Sequence, residues 1–276
     1  MPIITLTTDF GTKDHFVGAV KGAIYNELED VKIVDITHQI SPFSINEAAY
    51  ILKNAYQNFP EGTIHIIGVD SEISIENKPI ALQLEKQFFI CCDNGILSMI
   101  TNDINPEKLV EITIPEPNET RIPILDIFVK VACHIARGGM LEVIGKKIDD
   151  VKKLYEIQPL INTEQNQIIG TVIYIDNFGN VISNITKKTF NTIGKGREFE
   201  IIARNYNFSN IYTKYNEIVD FNIPIDKRQD DGKRLAIFNS ANYLEISLYR
   251  SNLKTVGGAS SLLGLKYRDN ITVRFK

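Results

Sequence analysis

The feature that most constrains this chain is an alternation in its first 137 residues. Short β-rich apolar runs take turns with stretches whose apolar residues recur at helical spacing. Residues 2–8 form the first apolar run. In 16–28, Phe16, Val17, Val20, Ala23 and Ile24 follow a helical period. Residues 31–37, "VKIVDIT", are a second strand. Ile45, Ala48, Ala49, Leu52, Ala55, Tyr56 and Phe59 mark an amphipathic helix, with Ser44 in the capping position. "TIHIIGVD", 63–70, is a third buried strand. Two short strands follow at 79–85 and 88–92, and "DIFVKVACHIAR", 126–137, is a helix stopped by Gly138-Gly139. Strand, helix, strand, helix, strand with short connections predicts an α/β domain with a mostly parallel sheet covered on both faces.

The pattern changes near 150–168, where "DDVKKLYEIQPLINTEQNQ" is polar, holds Pro159 and lacks periodicity. This places an α/β domain at 1–155, a linker at 156–167 and a second domain at 168–276. In the second domain the runs at 168–175, 198–203, 235–239, 243–249 and 270–275 are short and separated by turn residues. Only a short helix near 258–265 stands out. An antiparallel, barrel-like β domain is expected. The polar stretch 225–233, "IDKRQDDGK", reads as an exposed loop.

A length of 276 residues allows one large core or two smaller ones. A formal net charge of −4 argues against nucleic acid or an anionic membrane as the main partner. No stretch of 18 or more apolar residues is present, and the N-terminus lacks the features of a secretory signal. Cys91, Cys92 and Cys133 are odd in number and lack metal-ligand spacing, so they read as buried thiols of a cytoplasmic protein. His15, His38, His65 and His134 are dispersed, and no metal site is expected.

Ligands of open parallel sheets bind beyond the carboxyl ends of the strands. Asp9 and Asp70 both follow an apolar strand there and suit the two hydroxyls of a ribose. Charge-assisted acceptance is worth roughly 1.5–3 kcal/mol per bond. Each Asp has an alternative reading as a turn cap. Lys21, on the first helix, is expected to point to water. His38 reads as a satisfied loop or core histidine, and Phe43 either covers a ligand or plugs the core. The twelve residues "YIDNFGNVISNI", 174–185, put Asp176, Phe178, Gly179 and Asn180 at the tip of a hairpin, more chemistry than a turn requires. No nucleophile elbow, phosphate loop or dinucleotide fingerprint is present.

Five blocks, in order, resemble the S-adenosyl-L-methionine (SAM) hydroxide adenosyltransferase family, the SAM hydrolases related to fluorinase and chlorinase. They are "TTDFGTKDHFVGAVKG", "IVDITHQISPFSINEAAYIL", "CDNGILS", "GTVIYIDNFGNVISNI" and "NSANYLEISL" followed by "GGASSLLGLKYRD". The resemblance covers nearly the whole chain. It implies an N-terminal α/β domain, a C-terminal β-barrel-like domain, and a homotrimer holding SAM between neighbouring subunits. SAM would be the substrate, with no cofactor. Asp9 would take the ribose hydroxyls and Phe43 would cover the sugar. Phe178 and Asn180 would engage the adenine, Asp176 the methionine ammonium and Ser240 its carboxylate. Asp14 and Glu245, within the same blocks, would join the substrate-binding set. Asp70 would be catalytic, aligning water for in-line attack at C5′.

The chain departs from that family where water is handled. The family uses an Asp, an Arg and a His. Here "VDSEISIENKP" places Asn77 or Lys78 near the position of the Arg, and Pro123 and Leu125 of "IPILD" replace the His and the Arg after it. Ile124 occupies the place where a halogenase would contact halide. Three functions therefore follow: a SAM hydrolase in which Asp70, with Lys78 or Glu72, aligns water; a SAM- or adenosine-binding protein without hydrolysis; or an enzyme acting on a related adenosyl compound.

Overall fold

A computed structural model describes residues 1–101, 104–115 and 122–276. The chain divides into two compact units, Met1–Glu156 and Ile157–Lys276. The first contains β1 (Ile3–Thr8), α1 (Phe16–Glu27), β2 (Lys32–Thr37), α2 (Ile45–Ala55), β3 (Ile64–Gly68), β4 (Pro79–Leu84), β5 (Gln87–Cys92), α3 (Ile96–Thr101), β6 (Lys108–Ile112), α4 (Val129–Ala136), α5 (Leu141–Ile144) and β7 (Gly145–Lys147). Its sheet runs in the order β2-β1-β3-β5-β4-β6-β7.

The expected mostly parallel sheet needs correcting. Pairings β1–β2, β1–β3 and β3–β5 are parallel, but β5–β4, β4–β6 and β6–β7 are antiparallel, so the sheet is mixed. The reason is local. β4 and β5 are joined only by Glu85-Lys86, both at positive φ, a hairpin turn that enforces antiparallel pairing.

Side chains alternate across the sheet and build a core on each face. Ile4, Leu6, Ile64, Ile66, Ile90 and Cys92 pack with α1 and α4. Ile67, Val69, Leu82, Phe89 and Cys91 pack with α2 and α3. The second face also buries a polar row. Thr5 Oγ1 lies 2.7 Å from His65 Nδ1, and His65 Nε2 lies 2.7 Å from Gln87 Oε1. The Gln87 amide donates to the carbonyls of Tyr56 and Phe59, which fixes Oε1 as the acceptor and the proton on Nε2 of His65. Phe89 stacks on the imidazole at 4.7 Å. Burial pushes the His65 pKa down to about 4, against the opposing effect of its hydrogen bond to Gln87.

Ser44 occupies the N-cap of α2, but its side chain makes no capping bond. The Glu47 carboxylate accepts from Ser41 N at 3.0 Å instead. Helix α4 is preceded by a π-helical turn, Ile124–Phe128, with Pro123 at its N-cap. Ile124 is fully buried, and a Cβ added at Gly68 would stand 1.7 Å from its Cδ1. Glycine at the end of β3 therefore lets this turn sit directly on the strand. The three cysteines are free and buried. Burial pushes the Cys92 thiol up to about 12 and Cys133 to about 11, and holds Cys91 well above its ordinary value.

The second unit holds β8 (Leu160–Ile161), β9 (Gln167–Ile175), β10 (Val181–Thr186), α6 (Lys187–Gly194), β11 (Phe199–Ala203), β12 (Tyr206–Phe208), β13 (Ile211–Tyr212), β14 (Arg234–Phe238), β15 (Tyr243–Leu248), α7 (Ala259–Leu262) and β16 (Asn270–Phe275). Its nine strands form a nearly closed, barrel-like sheet in the order β12-β11-β16-β9-β10-β15-β14-β13, with β8 on β9. All pairings are antiparallel except β13–β14. Val172, Val181, Ile201, Ala236, Ile246, Ile271 and Val273 fill its core.

Two predictions follow. Gly68→Ala should destabilise the protein by about 1–3 kcal/mol through overpacking, and adding Ile124→Ala should recover part of that loss in a double-mutant cycle of denaturant midpoints. His65 is neutral when folded and has an unfolded pKa near 6.5. Its contribution is therefore complete above that value and is lost as pH falls from about 6.5 to about 4, amounting to about 3 kcal/mol. His65→Gln should remove one proton's worth of slope from stability against pH in that window.

Candidate active site

The order β2-β1-β3 makes β1 the strand at which the connections change direction. After α1 the chain passes to one side of β1, and after α2 to the other. A crevice opens at the carboxyl ends of such a pair. Asp9 follows β1 and Asp70 lies just beyond β3, and Asp9 N donates to Gly68 O at 3.4 Å. The two carboxylates anticipated from sequence thus sit at the ends of adjacent parallel strands.

Each is held by its loop. Phe43 N donates to Asp9 Oδ2 at 2.9 Å, leaving Oδ1 without a protein donor among the described residues. Phe43 has φ +62° and is 73% exposed. A left-handed backbone costs a non-glycine residue about 1–2 kcal/mol, which the bond to Asp9 offsets. The ring is outside the core, so Phe43 does not plug it. Asp14 is exposed in the turn between β1 and α1.

Asp70 is also left-handed, at φ +46°. Its carbonyl accepts from Asn94 Nδ2 at 3.1 Å and Asn77 Nδ2 at 3.3 Å. The same amides donate to Val69 O and Glu72 O, at 2.9 and 2.7 Å. These four bonds hold the 69–72 turn. Asn77 Oδ1 is buried without a partner. Lys78 Nζ is bound to both oxygens of Glu111, at 2.9 and 3.0 Å, so it is Asn77 that reaches the Asp70 turn. Glu72 is exposed. Pro123 and Ile124 lie beside Gly68 through the Ile124 contact, and neither side chain can move a proton.

In the second unit Asp176 organises its own hairpin tip. Oδ1 accepts from Phe178 N at 2.9 Å and Asn180 N at 2.8 Å, and Oδ2 accepts from Asn180 Nδ2 at 2.9 Å. This is an Asx-type turn closed by Gly179 at φ +81°. Phe178 is pushed out to 58% exposure, and Asn180 is buried with Oδ1 unpartnered. A cavity of about 460 Å³ opens here, lined by Asp176, Phe178, Asn180, Tyr215 and the 248–252 segment.

Glu245 is buried in β15 opposite Ile182, and Tyr215 OH donates to its Oε1 at 2.8 Å, as does Ser247. Burial raises its pKa, hydrogen bonds from Ser247 and Tyr215 oppose the rise, and the charge of Asp176 adds to it. Ser240 lies on the exposed turn joining β14 to β15. That turn is at the other end of β15 from the 176–180 tip, because Tyr243 pairs with Thr186 while Ile246 pairs with Val181.

Sequence reasoning missed Tyr215 and Arg250. Tyr215 reaches the cavity from 30 residues upstream of Glu245, and no local pattern marks it. Arg250, at φ +54°, sits in the polar turn after β15. Among the described residues, no group of three or more His, Cys, Asp or Glu side chains is arranged to hold a metal.

The chain matches the profile of the SAM hydroxide adenosyltransferase N-terminal domain over residues 4–145 and that of the C-terminal domain over 170–272. It is 28% identical to an (R)-S-adenosyl-L-methionine hydrolase of Methanocaldococcus jannaschii, across 99% of this chain and 96% of the relative. It is 21% identical to a fluorinase of Actinopolyspora mzabensis, across 91% and 92%. A solved structure of an uncharacterized conserved protein from Thermotoga maritima superposes with a TM-score of 0.82 at 26% identity, covering 99% and 100% of the two chains. Both domain profiles match in order over most of the sequence, and the chain belongs to the SAM hydroxide adenosyltransferase family.

Proposed function

We propose that this protein hydrolyses S-adenosyl-L-methionine to adenosine and L-methionine. The observation that carries this reading is family membership across both units, joined to the placement of Asp9 and Asp70 at adjacent strand ends. The relative named as a SAM hydrolase aligns over almost the whole chain. In this reaction a water oxygen attacks C5′ of the ribose. The C5′–S bond breaks with its electron pair moving to sulfur, and methionine leaves as a neutral thioether. The attacking water loses one proton, which is released to solvent and balances the charge of the sulfonium. Asp70 is the group that aligns that water, and the Asn77 and Asn94 amides fix its turn. Asp9 takes the ribose hydroxyls and Phe43 covers the sugar.

The 460 Å³ cavity is the partner half of the site, supplied by a neighbouring copy in a homotrimer. Phe178 stacks on the adenine for about 1–3 kcal/mol, and the unpartnered Asn180 Oδ1 accepts from it. Three hydrogen bonds already engage the Asp176 carboxylate, so it serves the methionine ammonium while holding the tip. Asp14 and Glu245 complete the binding set, and the protein works in the cytoplasm.

A second reading is favoured by Pro123. With a proline where the family carries its histidine and with Lys78 bound to Glu111, the protein binds SAM without hydrolysing it.

Incubation of the purified protein with SAM should yield equal amounts of adenosine and methionine, and Asp70→Ala should lower kcat at least about a hundredfold. SAM should raise the melting temperature of both proteins by several degrees. A thermal shift without turnover in the unaltered protein would select the second reading, and neither effect would reject both. Light scattering should show a particle of three chains.

A further inference from the structure

The backbone of Asp9 is tied to the neighbouring strand β3 by one long bond, Asp9 N to Gly68 O at 3.4 Å. Its aim therefore depends on what fixes Thr8 and the 8–12 loop. Thr8 is 1% exposed, and its Oγ1 lies 2.8 Å from His38 Nδ1. His38 is 4% exposed, and its Nε2 stands 3.1 Å from Asp35 Oδ1 in an off-axis contact. Asp35 Oδ2 in turn accepts from Lys21 Nζ at 2.6 Å. Burial alone would raise the Asp35 carboxyl, but its bonds to Lys21 and His38 outweigh this and hold it below its ordinary range.

With the imidazole proton assigned to Nε2, beside the Asp35 carboxylate, Nδ1 is an acceptor and the Thr8 hydroxyl donates to it. That sets the Thr8 rotamer and turns its oxygen to Phe10 N, 3.4 Å away. The same histidine accepts Gly11 N on its carbonyl at 2.7 Å, and Gln39 Nε2 donates to Thr12 Oγ1 at 3.2 Å. Residues 8, 11 and 12 are thus tied from both sides of Asp9 to the 38–39 segment, and Asp9 itself is tied to Phe43. Lys21, expected to point only to water, is the outer anchor of this chain.

We infer that Lys21, Asp35 and His38 are positioning residues that act through Thr8 to set the grip of Asp9 on the ribose hydroxyls. The inference rests on the assignment of Asp9 to the ribose. None of the three needs to touch the substrate. What they govern is discrimination, because a carboxylate turned away from a vicinal diol loses a directional bond while stacking on the base is unaffected.

The test is calorimetric titration of the full-length protein with adenosine and with 2′,3′-dideoxyadenosine. The unaltered protein should prefer adenosine by at least about tenfold. His38→Ala should bring that ratio close to one, with little change in affinity for the dideoxy compound. His38→Asn, whose side-chain oxygen can take the place of Nδ1 for Thr8, should restore most of the ratio. Asp35→Asn, at a site 37% exposed where folding is not at risk, should lower it severalfold. A general loss of structure would weaken both ligands equally. An unchanged ratio in His38→Ala or Asp35→Asn would overturn the inference and leave the ribose assignment standing. A ratio of one in the unaltered protein would overturn the ribose assignment and this inference with it.

Discussion

Parallel pairing of β1 with both β2 and β3 is the constraint on which the rest of the first unit depends. It places two strands' carboxyl ends side by side and sends their connecting helices to opposite faces. The polar chemistry then gathers where the ladder ends, since backbone groups there need partners that the sheet no longer supplies. Asp9, Asn77 and Asn94 meet that need, and they gather at the strand ends where the candidate site lies. The close contact of Ile124 with Gly68 shows how little room the arrangement leaves.

Carboxylates and amides in this protein mostly hold loops before they hold ligands. Asp9 fixes Phe43, Asp176 fixes Phe178 and Asn180, and Asn77 and Asn94 fix the Asp70 turn. Each pins a residue in a conformation that costs energy or exposes an aromatic ring. A site built this way is organised before substrate arrives, so less ordering entropy is lost on binding. Neutral donors suffice to hold the turn, and Lys78 is directed to Glu111 on the neighbouring β6.

The parts of the fold that were legible in the sequence are those set by local periodicity. The strand ends at Asp9 and Asp70, the amphipathic face of α2 and the change of character before residue 168 all read directly from residue spacing. The antiparallel half of the first sheet did not. "KLVEI" and "GKK" are too short and too charged to announce β6 and β7, and their pairing depends on contacts distant in sequence. The Asp176 tip was visible as unusual, but its hydrogen-bond directions need the positive φ of Gly179. Tyr215 was invisible because only tertiary structure brings it to Glu245. His38 read as a satisfied loop or core histidine, yet only its Nδ1 is hydrogen-bonded and Nε2 merely lies beside Asp35, the carboxylate bound by Lys21, which read as a solvent-facing side chain. The link between them runs from helix to strand to loop.

The buried thiols have a practical consequence. Nucleophilic attack by sulfur requires the thiolate, and Cys91, Cys92 and Cys133 are buried, which raises all three thiols well above neutral pH. The native chain is therefore a silent background for maleimide chemistry. A single cysteine introduced on the surface, beside Phe43 or on the 225–233 loop, can carry a fluorophore or spin label without removal of the natural three.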